Sequence, residues 1–438
     1  MLLEFTFENY TSFKDSTTFS MVAVKSFKEH SETNTVTIDK SLKVLKSAVV
    51  YGGNGSGKSN LLDALAFMKS TVLNSFRDAL VNSEDRKFKL EKYSLSSSSD
   101  KQPSFFEVTF FHNSKKYRYG FELDSDRVLS EWLFSSLKRE TFLFKRTAQD
   151  IEVNNNSFSE GTSLKQNVKE NVLFLTLLAQ LNGSIANEVV DWFKGLGPIT
   201  GIHDHGYKQY TVNKLKTDKK FHAFATKFLQ SLEISDVTTS EEEFNQVDID
   251  KLREKEKDEE LINFLSSVQK FAAKGPKRDK LLTWHRKYDE NNTLLETVAF
   301  NFDQQESEGT KKFLYLLGPW YDSLQNGKVI IVDELDSRLH SHLTRMLIQL
   351  FHSEKNVRAQ LIFATHDSSL LQSSIFRRDQ IWFVEKDQFG ASRLYPLSNF
   401  SAKAVRKTAA FGKNYMEGKY GAIPRPPDQA VIEKSIYG

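Results

Sequence analysis

The chain has 438 residues, 60 of them lysine or arginine and 57 aspartate or glutamate, and the formal charge of +3 is too balanced to impose a nucleic-acid reading by itself. A hydrophobic fraction of 39% against 27% charged residues excludes wholesale disorder, and the length suits about two to four domains. The absence of cysteine removes disulfides, thiolate zinc sites, iron–sulfur clusters and cysteine nucleophiles together, and fits a reducing cytosol.

The opening Met1–Glu8 carries acids where a secretory signal carries basic residues, and it alternates as a strand does, so no signal peptide is expected. The most apolar stretch, Val172–Leu181, falls far short of the ~20 residues that span a bilayer; a cytoplasmic chain without a membrane anchor is expected. Strand patterns cover Leu2–Phe7, Phe19–Val24 and Val44–Tyr51, the last running into a glycine loop, after which Leu61, Leu62, Leu65, Met68 and Val72 recur at helical spacing. A serine-rich connector, Ser94–Ser99, leads to three strands, Phe105–Phe111, Tyr117–Leu123 and Val128–Phe134, which predict an antiparallel layer in the same lobe, residues 1–153.

Over 154–283 the pattern turns helical, in Lys165–Leu181, Asn187–Leu196, His222–Leu232 and Lys251–Ala273, with an acidic patch at Glu241–Glu243; it predicts an inserted helical subdomain. The charged run Asp248–Glu260 lacks an apolar heptad seam, so no long coiled-coil arm is expected. A third segment, 284–438, alternates strands and helices: Leu294–Phe300, a helix from Thr310, Lys328–Val332, a helix over Thr344–Phe351, and Gln360–Ala364. The fold class is therefore α/β, with a mainly parallel core sheet, an antiparallel β layer and a helical insertion.

The loop Gly52-Gly53-Asn54-Gly55-Ser56-Gly57-Lys58-Ser59, followed by Asn60, fits a phosphate-binding loop between a strand and a helix. Its glycines let successive N–H groups turn inward around phosphates, Lys58 neutralises their charge and the Ser59 hydroxyl faces a Mg²⁺ ion. A glycine-rich turn with an accidental lysine is a weak rival in that context. Four apolar residues then run into Asp333-Glu334, where Asp333 can hold Mg²⁺ and Glu334 can orient or deprotonate an attacking water; such acids also end many ordinary parallel strands. Between the two motifs lies a stretch far too long for a compact GTPase or kinase core.

The turn Glu306-Ser307-Glu308-Gly309-Thr310 opens a helix and is either an anion site serving a nucleotide on another subunit or a local cap made by Ser307. His366 follows a buried strand, where it can reach a γ-phosphate, and Leu335-Asp336-Ser337-Arg338-Leu339-His340 leads away from the acidic pair. His203-Asp204-His205 reads as polar loop before it reads as a metal site, and the basic-aromatic run Lys274, Lys277, Arg278, Lys280, Trp284, Arg286 and Lys287 either tracks a phosphate backbone or is a solvated face.

Phosphate loop, degenerate signature, acidic pair, D-loop and switch histidine stand in the order of the ABC-type ATPases of the SMC/RecF branch, which the sequence resembles, as does its opening Phe7-Glu8-Asn9-Tyr10-Thr11-Ser12-Phe13-Lys14. More narrowly, Glu306–Thr310, Leu339-His340 and the tail Tyr415–Pro424 resemble the anti-phage abortive-infection ATPases of the AbiL/RloA group, with the PARIS-system ATPase AriA related. One departure is that Glu308 stands where the family signature commonly has a first glycine.

The resemblance implies ATP and Mg²⁺ as cofactors, Glu334 and His366 as catalytic residues, and a homodimer or higher homo-oligomer closing as an ATP sandwich. In that sandwich Ser307, Gly309 and Asp336 of one subunit face the nucleotide held by Lys58 of another. It further implies a separately encoded, Toprim-like effector nuclease and a phage component as trigger. The alternative is a RecF-type DNA-binding clamp of replication or repair. A transporter ATPase is disfavoured by the lack of a membrane span, and any nuclease is expected on another chain.

Overall fold

Strands buried on both faces read as continuous apolar runs, and the computed structural model gathers such runs into one parallel sheet. It describes residues 1–79, 88–137, 139–202, 206–242, 278–400, 410–424 and 429–437. In chain order the strands are β1 (Leu2–Glu8), β2 (Thr17–Ser20), β3 (Thr35–Thr37), β4 (Lys43–Leu45), β5 (Ser47–Tyr51), β6 (Ser104–His112), β7 (Lys115–Leu123), β8 (Val128–Ser136), β9 (Glu140–Thr147), β10 (Asp150–Val153), β11 (Leu196–Thr200), β12 (Ile234–Glu242), β13 (Arg278–Tyr288), β14 (Leu294–Asn301), β15 (Val329–Asp333), β16 (Gln360–Ala364), β17 (Ile381–Lys386) and β18 (Ser392–Pro396).

The described residues fall into two compact units, Met1–Ile202 with Asp322–Gly438, and His203–Tyr321. In the first, the order β11-β15-β16-β5-β17-β18 makes a sheet that is parallel up to its terminal antiparallel hairpin β17-β18. β5 and β16 are buried at every position and β15 at all but Asp333. The seven-stranded layer β10-β9-β8-β7-β6-β1-β2 is antiparallel. Helix Lys58–Asp78 touches both sheets: the Phe67 ring lies 5.1 Å from that of Phe106 on β6, and Lys69 Nζ donates to the Leu196 carbonyl at the start of β11.

The unit boundaries differ from the segments expected at 154 and 283. Residues 154–202 join the first unit because β11 pairs with β15 and because helices Phe174–Gln180 and Ser184–Lys194 pack against the antiparallel layer. Trp192 stacks on Phe110 with centroids 4.0 Å apart. Fully buried Glu131 of β8 accepts the N–H groups of Phe174 (2.6 Å) and Leu175 (3.0 Å), which the helix itself leaves unpaired. Arg146, likewise buried, lies 3.7 Å from Glu131 and donates to the carbonyls of Ala148 and Val172.

The second unit is mixed where a helical one was expected. Helices Lys208–Thr217 and Lys219–Leu229 accompany an antiparallel sheet, β12-β13-β14, with Phe221, Ala225, Leu229, Val237 and Leu281 buried among them. The strands rest on β-favouring residues, Val237, Thr238 and Thr239 on β12 opposite Leu281, Leu282 and Thr283 on β13. The helix expected over Lys251–Ala273, the run Asp248–Glu260, and Glu243, Lys274 and Lys277 lie outside the described residues, as do His203, Asp204 and His205.

Candidate nucleotide-binding site

β5 delivers the chain at Tyr51 into the glycine loop, and the loop closes on the first turn of helix Lys58–Asp78. Gly57 has φ 111°, and a Cβ there would fall 2.4 Å from Ser392 Oγ and 2.7 Å from Ser12 Oγ, so only glycine fits. Asn54 and Gly55 are exposed at the tip, whereas Gly52, Ser56, Gly57 and Lys58 are buried and Gly53, Ser59 and Asn60 half-buried. Lys58 curls back on its own loop, its Nζ donating to the carbonyls of Gly52 (2.9 Å) and Gly53 (3.2 Å). Burial pulls the ammonium below its ordinary value, and the nearby charges of Asp333, Glu334 and Asp336 oppose that pull.

A serine chain braces the loop from behind. Ser392 Oγ donates to the Ser56 carbonyl at 2.5 Å and sits 2.7 Å from Ser12 Oγ, which accepts from Asn60 Nδ2 at 2.7 Å.

The neighbouring strands bring the acids and the histidine to the same edge. The Asp333 carbonyl accepts from Gly201 N–H at 2.6 Å and Leu335 N–H donates to the Ala364 carbonyl at 3.1 Å. Between these anchors Glu334 is held at φ 51°, a left-handed conformation that non-glycine residues seldom adopt and that persists only under such fixing. Thr365 N–H donates to the Val50 carbonyl, tying the end of β16 to β5. His366 follows with its ring exposed and its N–H 3.4 Å from Asp336 Oδ2.

Among the described residues Asp333 Oδ1, Asp336 Oδ1 and Ser56 Oγ are buried without a hydrogen-bond partner. Buried polar atoms in native folds are ordinarily paired, so orphans beside a phosphate loop mark places a ligand completes. Carboxylate and hydroxyl oxygens are hard donors that suit Mg²⁺, and Asp333 with Ser59 could hold one, the ion keeping waters and phosphate oxygens for its remaining positions. No cluster of three His, Cys, Asp or Glu side chains able to cage a metal occurs among the described residues.

The sequence profile of a family described as "AAA domain, putative AbiEii toxin, Type IV TA system" matches residues 47–372, well over half of the chain. The chain belongs to that AAA family. No curated protein matches it significantly in sequence. Among solved structures, an SMC head domain from Thermotoga maritima aligns at 13% identity over 90% of this chain and 98% of its own, with a TM-score of 0.39. An SMC head bound to the C-winged helix domain of ScpA aligns at 12% over 90% and 97%, with a TM-score of 0.43. The architecture of the AAA chain is α/β, a mainly parallel sheet that carries the glycine loop beside an antiparallel β layer. Among the described residues no helix is long and apolar enough to cross a membrane.

Ser307 and Gly309 of the AAA chain belong to the second unit. Exposed Ser307 caps helix Glu308–Asn326, its Oγ accepting Thr310 N–H at 3.1 Å. The preceding Glu306 is clamped to β13: Thr283 Oγ1 donates to its Oε1 at 2.5 Å and His285 Nε2 lies 2.7 Å from the same oxygen. On that strand Trp284 donates to Thr238 Oγ1 and Lys287 pairs with Glu296 at 2.8 Å, so these members of the basic-aromatic run already have partners.

Several site residues carry no sequence motif. Asp63 follows Ser59 by one helical turn; its carboxyl is raised by partial desolvation and then by the negative charges of Asp333 and Glu91. The tail also reaches the loop, since Pro424 N lies 3.2 Å from where a Gly53 Cβ would stand. Tyr395 OH donates to the Tyr420 carbonyl, Tyr415 OH to the Ala422 carbonyl, and Ala422 N–H to Glu385 Oε2. Only the tail's resemblance to other sequences had singled it out.

Proposed function

We propose that the chain binds Mg²⁺–ATP at the glycine loop and hydrolyses it to ADP and phosphate. The observation that carries this reading is the convergence of Lys58, whose ammonium donates to its own loop's carbonyls, with the carboxylate oxygen of Asp333 orphaned among the described residues at one sheet edge. Lys58 exchanges the carbonyls of Gly52 and Gly53 for phosphate oxygens, and the N–H groups of Gly53–Ser59 surround the same anion. Mg²⁺, when bound by Ser59 and Asp333, supplies charge neutralisation of the leaving phosphates. Glu334, pinned at its unusual φ, orients water and accepts its proton, and His366 hydrogen-bonds the γ-phosphate.

In this reading Ser307, Gly309 and Asp336 of a second copy close the site as an ATP sandwich. The cycle serves an anti-phage abortive-infection system in which a phage component triggers the chain to release or activate a separately encoded, Toprim-like nuclease. The match to an AbiEii-type family supports that biological setting. Without differential contacts in the ATP-bound and free states no such coupling is available, so hydrolysis must reshape the surface that holds the effector.

Glu334→Gln is expected to keep ATP binding and lose hydrolysis by ~10²–10⁴-fold, while Lys58→Ala loses binding. Mixed Lys58→Ala and Ser307→Arg chains are expected to recover part of the activity each lacks. Parent-like phosphate release by Glu334→Gln would remove that residue from the chemistry. Undiminished phage protection after deletion of the neighbouring gene would move the weight to a DNA-acting clamp.

A further inference from the structure

We infer that a second anion site, built to take a phosphate group, lies beside the β3–β4 hairpin. A cavity of about 240 Å³ opens there, lined by Lys25, Lys28, Lys40 and Lys43 together with Ser31 and Ser41. Among the described residues none of the four lysines has an ion pair; Lys43 Nζ donates only to Ser31 Oγ, at 2.8 Å. Nearby carboxylates are engaged in part, although Glu29 Oε2 is buried without a hydrogen-bond partner among the described residues and the charge of Asp39 reaches Lys25. Asp39 Oδ1 accepts from Ser41 N–H, Ser41 Oγ and Leu42 N–H, Glu29 pairs with Arg378 at 3.0 Å, and Asp379 pairs with Arg377 at 2.7 Å. Four like charges around one small cavity repel one another, and a multivalent anion offsets that repulsion.

The loop that carries Lys25 and Lys28 is fixed from beneath. Arg377, only 1% exposed, holds Asp379 through Nε and Nη2 and gives its remaining N–H groups to the carbonyls of Val24 (3.3 Å), Phe27 (3.2 Å) and Glu29 (2.8 Å). Asp379 Oδ2 in turn accepts Val24 N–H at 2.8 Å. A buried, fully hydrogen-bonded ion pair therefore presets the backbone on which the lysines stand, the pre-organisation that an anion site needs.

The cavity's size and chemistry select the ligand. It is smaller than the ~300–1,000 Å³ typical of whole drug-sized ligands, so it accepts a single charged group whose remainder stays outside. One face of the Phe27 ring is covered by the Arg378 guanidinium at 4.0 Å, so at most its other face is left for a base. Lysines act as point charges without a planar fork, so the site reads the charge of a phosphate and not a base sequence. That phosphate belongs either to a nucleic-acid backbone or to a free polyphosphate.

Both sources are testable with full-length chains that all carry Lys58→Ala, so that the glycine loop contributes nothing. Two versions are compared with the Lys58→Ala parent: Lys25, Lys28, Lys40 and Lys43 all changed to Gln, and all four changed to Arg. Binding of a fluorescent mixed-sequence duplex is followed by anisotropy between about 50 and 200 mM NaCl, and binding of tripolyphosphate by calorimetry. The Gln version is expected to lose at least tenfold in affinity for one probe while the Arg version retains it. If the duplex is that probe, the slope of log affinity against log salt falls by roughly 3–4, at about 0.9 per lost phosphate contact. Lysine-dependent binding of tripolyphosphate alone assigns the site to a free ligand. No binding of either probe by the parent, or equal binding by the Gln version, overturns the inference.

Discussion

Replacing His352 tests whether the strand that enters the glycine loop is held by a neutral imidazole. His352 Nε2 lies 2.7 Å from Ser47 Oγ on β5, and that hydroxyl also accepts from Gln380 Nε2 at 2.8 Å, which leaves its own proton available to a neutral imidazole. Burial, with the positive groups His30 and Lys46 adding to it, lowers the imidazole from 6.5 to about 3. The folded state then binds fewer protons than the unfolded chain between those values, so this contribution to stability is complete above pH 6.5 and is lost progressively as pH falls toward 3. At pH 5 the loss amounts to about 2 kcal/mol. Urea unfolding of the parent and of His352→Gln at pH 7.5 and 5.0 reads the effect as the difference between their two pH decrements, since other titrating groups are common to both. The parent should lose about 2 kcal/mol more than the variant. Equal decrements would refute the neutral, buried imidazole.

Two further substitutions probe the site and its support. A Cβ at Gly201 would fall 2.1 Å from the Glu334 carbonyl and 2.6 Å from that of Asp333, so Gly201→Ala should displace the acidic turn; phosphate release is expected to drop at least tenfold while ATP still binds, and parent-like turnover would argue against a fixed Glu334. Glu131→Ala leaves buried Arg146 without its counter-ion and the amides of Phe174 and Leu175 without an acceptor, at a cost of about 3–5 kcal/mol in denaturant unfolding; a loss below about 1 kcal/mol would mean water replaces the carboxylate.

The glycine loop, its strand and its helix were legible because their chemistry is local: adjacent residues turn, cap and carry the charge. β15 and β16 were legible as apolar runs for the same reason. The membership of residues 154–202 was not, since it depends on Glu131, an isolated acid on β8 that gains its meaning only when the helix start at Phe174 arrives over it. β12 and β13 were read as helical or unassigned because their Thr, Ser and Glu side chains give no apolar stripe, and their pairing partner lies across a long charged segment. Ser12, Ser392 and Pro424 meet the glycine loop from opposite ends of the chain, a convergence no window of sequence contains. Ser307 was read two ways, and its cap on Thr310 accounts for the local one.

The sheet order also sets a timetable for biosynthesis. β5 is synthesised long before its partners on either side, β16 and β17, which place Ile362 beside Ala48 and Ile381 beside Val49. While the ribosome makes the three hundred or so intervening residues, a strand buried at every position in the fold has antiparallel neighbours nearby but no sheet of its own to enter. The nascent chain therefore emerges with its phosphate loop unformed, and a ribosome stalled before residue 360 would leave that strand to chaperones, or to the matching edge of another unfinished copy.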